Sequence, residues 1–300
     1  DPWDCMGLGR AAIMRSRYPT AQFYFESALS TFRENGELKG LAESMDNLGR
    51  VFWFFRNEEE ARRLHDEALA IFREIGNRKG EANALNGLAN LCRSDSHDKA
   101  ESLYHESLAI RREIEDYPGV AASLHNLGLI SKLRGDYDEA ERLNRESLAI
   151  ERDKGSPKGV ATSLHNLSGL SLARGELNEA EILIRECMNI YRGLENRLGV
   201  GSCMFLLGKV ALERRDYDEA ERLHRESLAI DREMGNRRGE SVELNRLGRI
   251  ALGRGDYDEA ERLSRKALAI DREMGNRRGE SGRLHSLGRI AMERGDYDEA

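Results

Sequence analysis

The chain has 300 residues, 34 % of them charged and 39 % apolar, with 47 basic residues against 54 acidic ones and a formal net charge of −7. That balance suits long amphipathic helices rather than disorder, and the lack of any Lys/Arg block argues against a nucleic-acid partner. No apolar run approaches the ~18 residues of a membrane span and no signal peptide precedes the first unit, so a cytoplasmic setting without a membrane partner is expected.

A Leu-Gly-like pair recurs along the chain at Leu8-Gly9, Leu48-Gly49, Leu88-Ala89, Leu127-Gly128, Leu167-Ser168, Leu207-Gly208, Leu247-Gly248 and Leu287-Gly288. A second marker follows each pair, at Ala21, Ala61, Ala100, Ala140, Ala180, Ala220, Ala260 and Ala300. The period is 40 residues with a single step of 39, which falls between Leu88 and Ala100, where the turn is one residue shorter. Self-similarity at this spacing marks a solenoid, whose units bury their apolar faces only against their neighbours.

The first units are rich in aromatics, at Phe23, Tyr24 and Phe25 and again in the run Phe52-Trp53-Phe54-Phe55. Four consecutive aromatics cannot share one helix face. The register places Trp53 and Phe54 on the face opposite the packing stripe, as candidate ligand-binding residues, and Phe52 and Phe55 in packing; the alternative is that all four cover the seam with the first unit. Further along, His105-Glu106 lacks the second His of a zincin helix, and no P-loop, GxGxxG or Ser/His/Asp arrangement occurs, so neither a catalytic residue nor a cofactor is expected. His125 and His165 stand one period apart, but no carboxylate or thiol is placed to complete a tetrahedral set, so no metal site is expected. Cys5, Cys92, Cys187 and Cys203 lack paired spacing and read as reduced, packed thiols.

The unit around Leu247 illustrates the repeat. Residues 240–254 form a first helix with Leu244, Leu247, Gly248 and Ala251 on one stripe, Gly248 admitting a close partner helix. Gly255 suits a left-handed cap, and Asp256 with Glu259 has the form of a capping box. A second helix then stripes Ala260, Leu263, Ala267, Ile270 and Met274 on one face before Gly275-Asn276 ends it, and Gly279-Glu280 opens the next unit.

Paired helices with Leu-Gly in the first, and a small residue seven after the marker Ala in the second (Ala28, Ala68, Ser107, Ser147, Cys187, Ser227, Ala267), resemble the tetratricopeptide repeat. Two departures stand out: the usual period of that family is about 34, and its Pro after the second helix is mostly absent, Pro118 and Pro157 being the only ones near such linkers. The longer period, with Leu-Ala-Ile closing the second helix, is similar to the subgroup of kinesin light chains, the LGN/Pins polarity adaptors, and the sensor arms of signalling ATPases and MalT-like regulators. The resemblance implies an all-α solenoid over residues 1–300, a right-handed superhelix of seven full helix pairs plus the first helix of an eighth. It also implies a concave groove, lined by first helices, that binds a protein or peptide. The abrupt ends suggest a piece of a longer chain whose fused domains lie outside it.

A helical wheel at ~100° per residue gathers Val242, Asn245, Arg246, Arg249 and Gly253 opposite the packing stripe. Residues 215–254 and 255–294 differ at ten positions, six in the first helix and five of those on this face. The same face elsewhere carries Asp46, Asn47 and Arg50; Asn86 and Asn90; His125 and Asn126; His165 and Asn166; Phe205 and Lys209; His285 and Arg289. An Asn amide offers a donor and an acceptor to an extended peptide backbone, and the resemblance gives weight to Asn47, Asn126 and Asn166. The alternative is a row of solvated polar residues. Lys209, Arg246, Arg249 and Arg289 outnumber Glu213 and Glu293, a surplus that suits an acidic peptide or a terminal carboxylate; the alternative is that these long side chains merely wet the helix face. A rival reading makes the chain an effector-sensing or autoinhibitory arm of a larger signalling ATPase or transcription regulator.

Overall fold

The structure, a computed structural model, describes residues 1–15 and 17–295, so the last marker, Ala300, lies outside the described residues. Those residues form fifteen helices and no strand. They group into two compact units, residues 1–155 and 156–300. The first contains α1 (Pro2–Met14), α2 (Tyr18–Asn35), α3 (Leu38–Phe54), α4 (Glu58–Glu74), α5 (Arg78–Cys92), α6 (His97–Glu113), α7 (Tyr117–Arg134) and α8 (Tyr137–Asp153). The second contains α9 (Pro157–Arg174), α10 (Leu177–Gly193), α11 (Arg197–Glu213), α12 (Tyr217–Glu233), α13 (Arg237–Gly253), α14 (Tyr257–Glu273) and α15 (Arg277–Arg294). Odd-numbered helices are the first of each pair.

Capping chemistry places the boundaries. Asp256 accepts a hydrogen bond from the Glu259 N–H at 3.1 Å, and Asp136 and Asp216 do the same for Glu139 and Glu219, satisfying a donor that the first turn leaves free. First helices start earlier than the apolar stripe predicts: α13 begins at Arg237 because Asn236 caps it, accepting from the Gly239 N–H at 3.1 Å. α15 likewise begins at Arg277, two residues ahead of Gly279, with Asn276 as cap.

The turn after most first helices needs a left-handed residue. Gly255 takes φ 80°, while Arg215, in the same slot one period earlier, takes φ 61° with a side chain to accommodate. The Cβ penalty in this region predicts that Gly255→Ala costs about 1 kcal/mol. Arg215→Gly is expected to be neutral or to stabilise by less than about 1 kcal/mol, because relief of the clash is partly offset by unfolded-chain entropy. Thermal unfolding of the two variants should therefore shift in opposite directions or leave only the first shifted; an equal loss in both would contradict the strain. The 39-residue step has its own geometry: Ser96 N–H bonds back four residues to the Cys92 carbonyl at 2.8 Å, where Asp216 N–H reaches back five, to Ala211, at 2.9 Å.

Packing follows the markers. All seven described second-helix Ala markers are fully buried, and a Cβ on Gly248 would lie 3.2 Å from the Ala260 carbonyl oxygen and 3.0 Å from Ser264 Oγ, so the glycine permits the close approach. The small residue seven positions later tethers the second helix to the first: Ser107 Oγ donates to the Ala82 carbonyl at 2.8 Å, and Ser227 Oγ to Gly201 at 3.1 Å. In the first unit the core runs through Phe25, Phe32 and Phe72; in the second, Leu244, Leu247, Ile250 and Ala267 form a core with Leu228 of the preceding pair. First helices also touch one another, α1 with α3 and α3 with α5 in one unit, α9 with α11 and α13 with α15 in the other. At the outer edges Arg214 reaches Glu181 at 2.6 Å and Arg294 reaches Asp258 at 2.7 Å, each tying a first helix to the start of the preceding second helix. Exposed pairs of this kind contribute little individually.

Candidate functional site

In the second unit the face opposite the packing stripe forms a cleft of about 480 Å³ along α11, α13 and α15. Lys209, Arg246, Arg249 and Arg289 line it together with Glu213 and Glu293, the six charged residues that the helical register had gathered. Gly253 matters here because a Cβ on it would come 3.1 Å from the Tyr217 ring, so the phenol lies against α13 and walls the cleft. Arg246 is half-buried and its guanidinium stands 5.6 Å above the Phe205 ring. Burial pulls its pKa below the ordinary value and Arg249 pulls the same way, against Glu243 and Glu213; a guanidinium nonetheless remains a cation. Arg246, Arg249 and Arg289 form no ion pair among the described residues, in contrast to the paired Arg214, Arg254 and Arg294.

The first unit has a polar cleft of about 760 Å³ holding Asn47 and Arg50, along with Arg10, Lys39, Glu43 and Lys79. Asn47 is buried and its Nδ2 donates to the Glu43 carbonyl at 2.7 Å, while Arg10 pairs with the Glu43 carboxylate at 2.7 Å. Asp46 turns inward to His65 Nδ1 at 2.9 Å. Asn126 Nδ2 donates to Asn86 Oδ1 at 2.9 Å across successive first helices, and Asn90 Oδ1 accepts from the Tyr104 hydroxyl at 2.7 Å. The asparagines thus bond sideways and inward as well as facing out. His125 and Asn166 are half-buried and engaged by neighbours, Asn245 keeps a buried Oδ1 without a hydrogen-bond partner among the described residues, and His285 is exposed.

The aromatic run divides differently from its register. Phe54 stacks on Tyr18 of α2 with centroids 4.2 Å apart, and Trp53 meets Phe54 edge-on at 5.0 Å. Phe52 joins the core, and Phe55, at the helix end, meets the Phe52 ring edge-on at 6.4 Å while staying 39 % exposed. Phe54 therefore covers the α2–α3 seam, and Trp53 keeps part of its surface outside.

The expectation that no thiol could join His165 is corrected by the structure. Cys187 of α10 and Cys203 of α11 come together with His165 of α9, the three ligand atoms lying within 4.8 Å of one another. Sequence spacing hid this because the three residues occupy three different helices; the available signal was that Cys187 and Cys203 both stand where other repeats carry other residue types.

Sequence models of the tetratricopeptide repeat match residues 6–74, 80–153 and 159–233, and a second such model matches residues 244–274. The chain belongs to the tetratricopeptide repeat family. No curated protein matches it significantly. Among solved structures, the repeat array is similar to BtubC (BKLC) from P. vanneervenii, at 24 % identity over 80 % of this chain and 92 % of that one, with a TM-score of 0.60. It is similar also to the Rap conjugation gene regulator of plasmid pLS20 in complex with the Phr* peptide, at 17 % identity over 90 % and 73 %, TM-score 0.68. A third likeness is to a signal transduction ATPase with numerous domains and a tetratricopeptide repeat sensor from Pyrococcus horikoshii, at 15 % identity over 94 % of this chain but only 44 % of that one, TM-score 0.68. At these identities the likeness is one of fold. No helix among the described residues is long and apolar enough to cross a membrane.

Proposed function

We propose that this tetratricopeptide repeat protein binds an acidic segment of a protein or peptide along the first-helix face, with α11, α13 and α15 as the principal contact. The observation that carries this reading is four cations facing two carboxylates in one cleft, on a chain of net charge −7. Arg pairs carboxylates in bidentate fashion, and Arg246, held over Phe205, is restrained before any ligand arrives. Asn166 of the same unit adds an amide suited to a peptide backbone, and Trp53 and Asn126 offer an aromatic surface and an amide on the first unit's own first-helix face. The Rap regulator solved with its peptide supports this use of the fold. Binding rests on shape and charge without chemistry, and the lack of a Lys/Arg block argues against a nucleic-acid partner. The four cysteines, which lack paired spacing in the sequence, suit a reducing, cytoplasmic setting.

Fluorescence anisotropy with labelled peptides of matched length tests the proposal. An acidic peptide is expected to bind at least tenfold more tightly than its Asn/Gln counterpart, and its affinity to fall with added salt. Equal binding of the two, or a salt-independent constant, would remove the electrostatic basis. A second reading, an arm of a larger signalling ATPase, is favoured by the Pyrococcus likeness; it is distinguished by an acidic stretch of the same polypeptide competing with the free peptide.

A further inference from the structure

We propose that His165, Cys187 and Cys203 form a Zn²⁺ site inside the second unit. Nδ1 or Nε2 of the histidine and the two Sγ atoms lie within 4.8 Å of one another. Both cysteines are fully buried, while His165 is half-exposed, so an ion enters from the histidine side. Cys187 Sγ also sits 3.2 Å from the Ala161 carbonyl oxygen, in the position where Ser227 Oγ meets Gly201 in a later repeat, and its backbone placement is therefore that of the ordinary repeat.

The repeat geometry itself makes the slots converge. Across the first two pairs the slots of His165 and Cys203 hold Met6 of α1 and Ser44 of α3, and Ser44 Oγ lies 3.2 Å from Met6 Sδ. The Cys187 slot otherwise holds Ser or Ala, at Ser107, Ser147 and Ala267 for example. The Cys203 slot otherwise holds Asp4, Ser44, Ala84, Ser123, Ser163, Glu243 or Arg283. Only in the unit of His165 are all three slots filled by nitrogen and sulfur ligands together.

Zinc takes thiolate sulfur at about 2.3 Å and imidazole nitrogen at about 2.0–2.1 Å, so tetrahedral ligand atoms stand roughly 3.5–3.8 Å apart, and these three need draw in by only about 1 Å. Charge selects the ion. Two thiolates, a neutral imidazole and Zn²⁺ sum to zero, which suits a buried site, whereas Cu⁺ in the same cage would leave one uncompensated negative charge. Binding replaces two S–H protons by the metal and releases them to solvent, without any redox step.

The test uses the full chain, reduced and stripped of metal, titrated anaerobically with Zn²⁺ against a chromophoric chelator and separately with Co²⁺. One equivalent of Zn²⁺ is expected, with two protons released and a thiolate-to-Co²⁺ charge-transfer band in the near ultraviolet. Cys187→Ser and Cys203→Ser should each abolish the band, and His165→Asn should weaken Zn²⁺ binding at least tenfold. Ser and Asn are residues this chain itself places in those slots, at Ser147, Ser163 and Asn86, so the fold should persist, as far-ultraviolet circular dichroism will check. The proposal is overturned if the reduced protein takes up no Zn²⁺, if it takes Cu⁺ in its place, if His165→Asn binds as the parent does, or if a variant lacking all three ligands still binds equally.

Discussion

Reversing Arg249 and Arg289 to Glu is expected to abolish binding of an acidic segment and to flatten its salt dependence. Both side chains are exposed and free of ion pairs among the described residues, so helicity and melting should hold. The cleft changes from four cations and two carboxylates to two cations and four carboxylates, a formal swing from +2 to −2. Losing two charge-assisted pairs and gaining repulsion should cost more than about 3 kcal/mol, over roughly a hundredfold in affinity. The same charge change at Arg222 and Arg262, which pair with Glu219 and Glu259 on second helices, should cost less than about threefold, because it acts only through the screened field. If the two double reversals weaken binding equally, net charge rather than the cleft governs the interaction. If neither does, the acidic ligand sits elsewhere.

The second large effect is structural. Tyr104 is fully buried in the core between α5, α6 and α7 and donates its hydroxyl hydrogen to Asn90 Oδ1 at 2.7 Å. Tyr104→Ala should cost about 3–5 kcal/mol, as removal of a large buried aromatic does. Tyr104→Phe keeps the packing and loses only the hydrogen bond, so it should cost about 1 kcal/mol. Because repeats contact only their neighbours, hydrogen exchange in the Ala variant should accelerate most in α5, α6 and α7 and least in α1 and α2; uniform acceleration would contradict the stacked arrangement. Burial also pushes the phenol pKa from 10.0 up to about 12, with Arg93 opposing. The proton is held more tightly in the folded state, so this contribution is intact below pH 10 and lost as the pH rises toward 12. Alkaline denaturation in that window should be shallower for Tyr104→Phe than for the parent.

The helix pairs, the Asp caps of the second helices, the short step and the repeat family were legible in the sequence, because each rests on local chemistry repeated at a fixed period. Asp256 with Glu259 announces a helix start wherever it stands, and Gly248 marks a close approach to the second helix of its own pair, where Ala260 and Ser264 meet it. The cationic cleft was legible for the same reason: Lys209, Arg246, Arg249 and Arg289 hold corresponding face positions in successive first helices, and stacking brings such positions side by side. First-helix starts were placed late because an Asn cap three residues ahead of Gly239 leaves no apolar signal.

Only the tertiary structure decided how side chains on that face divide between solvent and neighbours. Asn47 folds back on its own helix, Asn86 and Asn126 bond to each other, Asp46 turns in to His65, and Phe54 leans onto Tyr18. A face assignment states direction alone, whereas these choices depend on rotamers and on distances between helices. The meeting of His165, Cys187 and Cys203 is the clearest case, since the three are separated by 22 and 16 residues in the chain. Neither interval is a helical or repeat spacing, and it takes the packing of α9, α10 and α11 to bring the three ligand atoms within 4.8 Å.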